Sequence, residues 1–275
     1  MKIVNLIDNI SYKPDLKSEH GLSYYIETDH HKILFDCGQG NSFIENAKFM
    51  KIDLTQIDIV IISHGHYDHG GGLKDFLDIN HKATVYLNQN AFNEYYSKKS
   101  DNELKYIGLN KDLMRHKQIQ LINHQSYVID DSLILYSGIK QNKLSPLGNS
   151  VLMEKRYDLV KPDIFLHEQN LIIRDHNKVI LMAGSAHNGI VNTIEQIKER
   201  THFNIDYVYG GFHCYNLTLD TYEDDERLKL IANELLKTNA IFYTGHCTGL
   251  KAYELMKTIM LDKIVYNSVG SVQEL

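Results

Sequence analysis

One short stretch constrains the fold of this 275-residue chain more than any other feature. The run Ser63-His64-Gly65-His66-Tyr67-Asp68-His69 places three histidines and an aspartate within six residues, and three glycines follow it. Imidazole nitrogens and a carboxylate are ligands that a zinc-like divalent cation prefers. The apolar residues 57–62 predict a short buried strand that delivers these side chains into a loop. A solvated histidine-rich loop is the alternative, but four ligand-type residues at this spacing after a strand favour a metal site.

The composition of the chain narrows the class of protein. Hydrophobic residues make up 43% and charged residues 23% of the sequence, which suits a globular protein with a full core. The net charge of -6 argues against a nucleic-acid-binding surface, because such a surface requires a positive field. Cys37, Cys214 and Cys247 are odd in number and widely spaced, so we expect no disulfide framework.

The sequence also predicts the cellular location of the protein and the class of its partners. The amino terminus has no signal-peptide pattern, and no apolar stretch is long enough to cross a bilayer. We therefore expect a cytoplasmic protein with a small-molecule substrate and without a nucleic-acid or membrane partner, while a homo-oligomer stays open. No linker-like segment interrupts the sequence, so we expect a single domain over residues 1–275.

Hydrophobic periodicity predicts a strand-rich first third and alternating strands and helices in the second half. The early predicted strands are residues 22–27, 32–35, 57–62 and 83–87, and the early predicted helices are residues 41–50 and 90–98. The later predicted strands are residues 171–174, 179–183, 205–209, 240–243 and 263–269, and the later predicted helices begin after Asn188 and cover residues 222–237 and 248–261. This pattern predicts an α/β (α+β) fold with two sheets packed between helices.

The middle of the chain, residues 97–169, has the weakest pattern and carries a run of basic side chains. These are Lys98, Lys99, Lys105, Lys111, Arg115 and Lys117. A charge run of this kind usually forms a solvated face. The alternative is a variable insertion or cap that offers cations to an anionic substrate.

A centre with two metal ions needs more ligands than the first motif supplies. His187 follows the predicted strand at residues 179–183, and His246 follows the one at residues 240–243. Because residues at neighbouring strand ends can converge, both are candidate ligands, with a helix-capping or core histidine as the alternative. His213, after Gly210-Gly211-Phe212, could bind substrate, donate a proton or be a polar strand end. The other histidines predicted to lie at the surface or in exposed turns are His30, His31, His81, His116, His124, His167, His176 and His202.

The candidate ligands divide into two sets of three. One ion would be held by His64, His66 and His187, and the other by Asp68, His69 and His246. Three protein ligands leave an open position at each ion, as in catalytic zinc sites. Water between two cations loses its proton near neutral pH and becomes a nucleophile, which Asp68 can orient. Asp36 ends a predicted strand and is either a carboxylate that orients a ligand histidine or an ordinary turn aspartate.

The motifs resemble those of a known family. The stretch Ser63-His64-Gly65-His66-Tyr67-Asp68-His69 is similar to the signature of the metallo-β-lactamase superfamily, and Asp36-Cys37-Gly38 resembles its earlier strand-end motif. Four further motifs resemble the branch of ribofuranosylaminobenzene-phosphate (dihydropterin) synthase-like metal-dependent hydrolases: Glu19-His20-Gly21-Leu22-Ser23, Gly184-Ser185-Ala186-His187-Asn188-Gly189-Ile190, Gly210-Gly211-Phe212-His213 and Gly245-His246-Cys247-Thr248-Gly249.

The resemblance implies a four-layer αββα sandwich with two divalent metal ions at the edge between its sheets. Zinc is the expected metal, with Mn or Fe as alternatives. The resemblance also implies a role for four further residues, which either contact the substrate or contact and orient the metal ligands. These residues are Glu19, His20, Asp36 and Ser185. Ser185 occupies a position where many superfamily members carry an aspartate that bridges the two ions.

Three functions follow from the site and the resemblance. The first is a metal-dependent hydrolase that uses a metal-bound hydroxide on a small anionic substrate, phosphorylated or ester-like, with Asp68 and His213 as catalytic residues. The second is a transferase resembling dihydropterin/ribofuranosylaminobenzene-phosphate synthases, whose metals would stabilise phosphate charge. The third is a metal-binding or sensor protein without turnover, which the serine at position 185 favours.

Overall fold

The structure is a computed structural model that describes residues 1–99, 101 and 103–275. In chain order the strands are β1 (Lys2–Ile7), β2 (Ser23–Glu27), β3 (Lys32–Phe35), β4 (Ile59–Ile61), β5 (Thr84–Asn88), β6 (Glu94–Lys98), β7 (Leu104–Tyr106), β8 (Ile119–Ile122), β9 (Ser126–Val128), β10 (Leu133–Ser137), β11 (Leu152–Arg156), β12 (Leu159–Pro162), β13 (Gln169–Asp175), β14 (Lys178–Met182), β15 (Tyr207–Gly210), β16 (Tyr215–Asn216), β17 (Thr221–Tyr222), β18 (Ile241–Thr244), β19 (Ile264–Tyr266) and β20 (Val272–Glu274). The α-helices are α1 (Ser42–Phe49), α2 (Tyr67–Gly70), α3 (Leu73–Ile79), α4 (Ile190–Thr201), α5 (Asp225–Leu236) and α6 (Leu250–Met260).

The chain divides into two compact units. The first unit comprises Met1–Phe92, Gly108–His124 and Asn267–Leu275, and the second comprises Asn93–Ile107 and Gln125–Tyr266. Each unit contains a seven-stranded sheet. The expectation of a single domain over residues 1–275 stays a prediction.

The sheet of the first unit has the strand order β20-β1-β2-β3-β4-β5-β8. Strands β1 to β3 are antiparallel, whereas β3, β4, β5 and β8 run parallel. Helices α1 and α3 bury Phe43, Leu73 and Phe76 in the same apolar cluster as Val60 of β4. The parallel pairing brings the carboxyl ends of β3 and β4 to one edge, where Asp36 and the histidine motif begin.

The main sheet of the second unit has the order β19-β18-β15-β14-β13-β10-β9. Its strands β14, β15, β18 and β19 are parallel, so the loops after β14, β15 and β18 share one edge. Helix α4 buries Ile190, Ile194 and Ile197, the apolar stripe that the sequence predicts. Asp224 caps the amino terminus of helix α5, and its side chain accepts a hydrogen bond from the Arg227 backbone N–H.

One predicted element is wrong. Residues 90–98 are predicted as a helix, but the structure has strand β6 at Glu94–Lys98, which pairs with β11 and β7. Its burial alternates along the strand, with Tyr95 and Ser97 buried. Aromatic residues favour a half-buried pleated surface, and the pairing to β11 joins residues more than fifty positions apart. A local propensity pattern cannot detect that pairing.

Residues 97–169 contribute to both main sheets. Strand β8 lies at the edge of the first unit's sheet, and β9 and β10 lie in that of the second. Of the basic side chains in this segment, Lys99 pairs with Glu103 at 2.6 Å, and Lys105, Lys111, Arg115 and Lys117 are exposed. This arrangement favours the solvated face, and the cap stays a prediction. Residues 100 and 102 of the segment lie outside the described residues.

The helices of the described residues are short. Among the described residues, α4 and α5 reach 12 residues each, and no helix combines the length and apolar character needed to span a bilayer.

Candidate metal centre

The strand β4 delivers the histidine motif of the first unit into a tight turn. His66 has extended backbone and precedes α2, whose single turn carries Asp68 and His69. The side chains of His64 and His69 are fully buried, and those of His66 and Asp68 are nearly so. His64 Nε2 lies 3.1 Å from His66 Nδ1, and His69 Nε2 lies 3.6 Å from Asp68 Oδ2. The motif therefore brings its four ligand-type side chains together.

This donor set fits a divalent cation. Two nitrogens bound tetrahedrally to one zinc at about 2.0–2.1 Å would stand roughly 3.3 Å apart. The 3.1 Å between His64 Nε2 and His66 Nδ1 is close to that separation. Burying several imidazoles beside a carboxylate is costly unless they have polar or ionic partners, and a cation supplies one.

Asp36 lies behind His69 in the first unit. Its side chain is fully buried and accepts hydrogen bonds from the Ser63 backbone N–H at 2.7 Å and from Ser63 Oγ at 2.8 Å. His69 Nδ1 lies 2.7 Å from Asp36 Oδ2. Burial raises the pKa of Asp36, and the neighbouring His69 and Ser63 act against that rise. When the Asp36 carboxylate is ionised it can only accept, and Nδ1 of His69 then carries the proton while Nε2 carries the lone pair.

Glu19 and His20 occupy different places beside this motif. Glu19 Oε1 accepts hydrogen bonds from the backbone N–H groups of Gln39 and Gly40, at 3.0 Å and 3.3 Å, and so holds the loop after β3. His20 Nε2 lies 3.2 Å from Asp68 Oδ2. The structure therefore places His20 against a candidate ligand and Glu19 against the backbone.

In the second unit, His187 follows β14 and is held from several sides. Its ring stacks on Phe165, with ring centroids 4.5 Å apart and planes 3° from parallel. The ring of His213 approaches it, with centroids 4.2 Å apart. The backbone N–H of His187 donates to Glu168 Oε1 at 2.6 Å, and the Asn188 side chain donates to Glu168 Oε2, also at 2.6 Å. The structure thus brings the predicted ligand and the predicted catalytic histidine of this unit together.

His246 and Ser185 lie in neighbouring loops of the second unit. His246 is buried and begins a 3-10 turn, His246–Thr248, directly after β18. Cys247 Sγ donates to the Ser185 carbonyl at 3.7 Å, and Thr248 Oγ1 accepts from the Phe212 backbone N–H at 2.9 Å. These contacts tie the loops after β14, β15 and β18 to one another.

Several candidate residues adopt the left-handed backbone conformation that non-glycine residues rarely visit. The φ angle is 61° at Asp36, 50° at His213 and 48° at His246. Such conformations cost free energy, and they persist where surrounding contacts over-determine them, often at functional sites. The sequence gives no signal of these conformations, because none of the three residues is a glycine.

The prediction that His167 lies at the surface is wrong. His167 is fully buried, its Nε2 lies 3.0 Å from Asp163 Oδ2, and its ring packs on Tyr95 with centroids 4.0 Å apart. Burial is tolerated because the carboxylate satisfies the imidazole. His167 lies just before the buried strand β13, and this position could have indicated its burial.

Glu168 is a buried neighbour of His187 that the sequence analysis did not identify. It is buried, and burial raises its pKa while the donors from His187 and Asn188 oppose the rise. Asn149 and Phe165 were missed in the same way. Each acts through a partner distant in the chain or through its backbone, and no local spacing marks it.

The second unit contains a cavity of about 240 Å³. Its lining includes Gly148, Cys214, Asn216, Tyr222 and Glu223. The Glu223 carboxylate is buried and accepts from the Leu147 backbone N–H at 2.5 Å. Its Oε2 lies 2.9 Å from Arg227 Nε. Burial raises the pKa of Glu223, Asp224 adds to the rise, and Leu147 and Arg227 oppose it.

Comparisons with known proteins agree with this architecture. The profile of the metallo-beta-lactamase superfamily matches residues 18–246. An uncharacterized protein of Methanocaldococcus jannaschii is 30% identical over 97% of this chain and 97% of its own length. A 7,8-dihydropterin-6-methyl-4-(beta-D-ribofuranosyl)-aminobenzene-5'-phosphate synthase of the same organism is 29% identical over 92% of this chain and 89% of its own.

Solved structures give the same result. The crystal structure of a metal-dependent hydrolase of the beta-lactamase superfamily aligns with 100% of this chain and 99% of its own. The TM-score is 0.85, and the two sequences are 27% identical. Zn(2+)-bound PqqB from Methylobacterium extorquens is 12% identical and shares the fold over the whole of both chains, with a TM-score of 0.62. The predicted fold class is therefore confirmed.

Proposed function

This chain belongs to the metallo-β-lactamase superfamily, and from that premise we propose that it is a metal-dependent hydrolase of a small anionic ester, phosphorylated or carboxylic. The observation that carries the proposal is the convergence of four buried ligand-type side chains in the motif after β4. We propose that His64, His66, Asp68 and His69 of the first unit are metal ligands. We propose the same role for His187 and His246 of the second unit. Zinc is the proposed metal.

Bound divalent cations would supply Lewis-acid activation and a water molecule of lowered pKa. The chain's own residues supply positioning and proton transfer. Asp36 keeps the proton of His69 on Nδ1, at 2.7 Å, so that Nε2 carries the lone pair. Hydrolysis adds the oxygen of water to the acyl carbon or phosphorus atom and leaves the departing oxygen in need of a proton. We propose that the imidazole of His213 donates that proton.

A second candidate function is a transferase reaction. The 29% identity to a dihydropterin ribofuranosylaminobenzene-phosphate synthase favours it, since that similarity extends over most of both chains. In that case the ions would stabilise phosphate charge. A transferase needs two organic substrates, whereas a hydrolase needs one substrate and water, and this difference separates the two functions.

The test is to measure metal content and turnover with the full-length chain. The protein is stripped with a chelator, reloaded with zinc, manganese or iron, and its metal content per chain is determined. A panel of phosphodiesters, carboxylic esters and lactones is assayed in water alone. A second arm supplies a dihydropterin together with a ribofuranosylaminobenzene phosphate, and the products are identified by mass spectrometry.

The His66→Ala variant should lose metal and turnover together. The matched control is His81→Ala, because His81 is an exposed histidine outside the motif. Turnover in water that disappears in His66→Ala and survives in His81→Ala supports the hydrolase. A product that joins the two organic substrates, formed only when both are present, supports the transferase and overturns the hydrolase. Metal binding without turnover in either arm overturns both reactions and supports a metal-binding protein without catalytic activity.

A further inference from the structure

The 3-10 helix Leu147–Val151 lies in the segment with the weakest sequence pattern, yet it is anchored to the second unit at two points. The backbone N–H of Leu147 donates to the buried Glu223 carboxylate at 2.5 Å. Asn216 Nδ2 donates to the Gly148 carbonyl at 2.9 Å. Two anchors on consecutive residues fix the position of the next residue, Asn149.

Asn149 contacts His187 through both ends of its side-chain amide. Its Nδ2 donates to the His187 carbonyl at 2.7 Å, and its Oδ1 lies 3.0 Å from His187 Nδ1. A backbone carbonyl can only accept, so the amide nitrogen must face it and the amide oxygen must face Nδ1. An amide oxygen can also only accept, so Nδ1 of His187 must carry a proton. In the neutral ring, Nε2 then carries the lone pair.

We propose that Asn149 is a positioning residue that selects the metal-binding tautomer of His187. The inference rests on the proposed function, in which His187 is a metal ligand. Phe165 fixes the plane of the same ring by stacking on it, with the ring planes 3° from parallel. Asn149 therefore does for His187 in the second unit what Asp36 does for His69 in the first, with a neutral amide in place of a carboxylate.

The difference between amide and carboxylate has a consequence for affinity. A carboxylate partner raises the basicity of a ligand imidazole, and removing such a partner typically costs 10–100-fold in metal affinity. Replacing Asn149 by Asp keeps an acceptor facing Nδ1, but it removes the donor to the His187 carbonyl and sets a carboxylate oxygen against it. Zinc affinity should therefore fall less in Asn149→Asp than in Asn149→Leu. Replacing Asn149 by Leu removes the acceptor, so zinc affinity should fall about 10–100-fold.

The experiment measures zinc affinity by competition with a chromophoric chelator, using the full chain with the substitutions Asn149→Leu, Asn149→Asp and His187→Ala. The matched control is Asn142→Leu, because Asn142 is an exposed asparagine of the same segment. Circular dichroism of each zinc-free protein establishes that it is folded. A second measurement uses the wild type, so it does not depend on whether the variants at position 149 fold. A long-range 1H–15N spectrum of the zinc-free wild type, with the signal assigned by its loss in His187→Ala, reports which ring nitrogen is protonated.

The expected result is weak binding in Asn149→Leu, a smaller loss in Asn149→Asp, near-normal binding in Asn142→Leu, and a protonated Nδ1 in the spectrum. Wild-type affinity in Asn149→Leu would overturn the inference, and so would equal losses in the Leu and Asp variants or a protonated Nε2. Failure of the wild type to bind zinc would instead overturn the proposed function. The two failures are therefore distinguishable.

Discussion

Replacing Asp36 with asparagine should weaken both the fold and the metal centre. Asp36 is fully buried and takes part in three hydrogen bonds, two with Ser63 and one with His69. An asparagine oxygen can still accept from the Ser63 backbone, but the amide NH2 then faces His69 Nδ1, donor against donor. One buried donor left without an acceptor costs about 1–3 kcal/mol. Against a total stability of about 5–15 kcal/mol, the variant should still fold.

The same substitution should also lower the metal affinity, because it changes the tautomer of the His69 ring. An amide NH2 beside Nδ1 favours the tautomer whose proton sits on Nε2, the nitrogen proposed to face the ion. Loss of such a partner typically lowers metal affinity 10–100-fold, which corresponds to about 1.4–2.7 kcal/mol.

Urea unfolding of the zinc-free protein and chelator competition of the loaded protein measure the two effects of Asp36→Asn separately. The matched control is Asp15→Asn, since Asp15 is an exposed loop aspartate whose replacement should change stability by no more than about 0.5 kcal/mol. If Asp36→Asn kept both the unfolding free energy and the zinc affinity of the wild type, the assigned role of the buried carboxylate would be refuted.

Three further predictions concern the strand ends, pH and metal removal. Gly210 has a φ of 136°, and a Cβ added there would lie 1.8 Å from the Ala183 carbonyl oxygen, so Gly210→Ala should destabilise by more than about 4 kcal/mol. Gly40→Ala, which meets nothing within 4 Å, should keep a near-normal urea midpoint, and equal midpoints for the two variants would contradict the steric argument. Because burial raises the pKa of Glu223 in the folded state, the folded chain holds its proton where the unfolded chain has released it. Stability should therefore fall as pH rises from about 4.5 through the folded pKa, and Glu223→Gln should lessen this slope in urea titrations at successive pH values; an unchanged slope would argue against the raised pKa. Chelation should lower the melting temperature of the zinc-loaded wild type, because ions that bind only the folded state stabilise it, and an unchanged melting temperature would speak against a resident metal.

Much of the architecture could be predicted from the sequence because the relevant patterns are local. The apolar stripe of α4 repeats every three to four residues, and the predicted strands at residues 171–174 and 179–183 are β13 and β14. The failed helix at residues 90–98 shows the limit of that approach. Strand β6 is stabilised by pairing with the distant β11, and no property of nine consecutive residues records that partner.

The histidine motif after β4 is the part of the site that the sequence determined by itself. Four ligand-type residues within six positions must share one turn, so their clustering follows from chain geometry. The tertiary structure decided how the rings are oriented. Asp36 lies 33 residues from His69, and Asn149 lies 38 residues from His187. Hydrogen bonds between such distant residues exist only after the strands and loops have packed, because the chain between them imposes no fixed spacing.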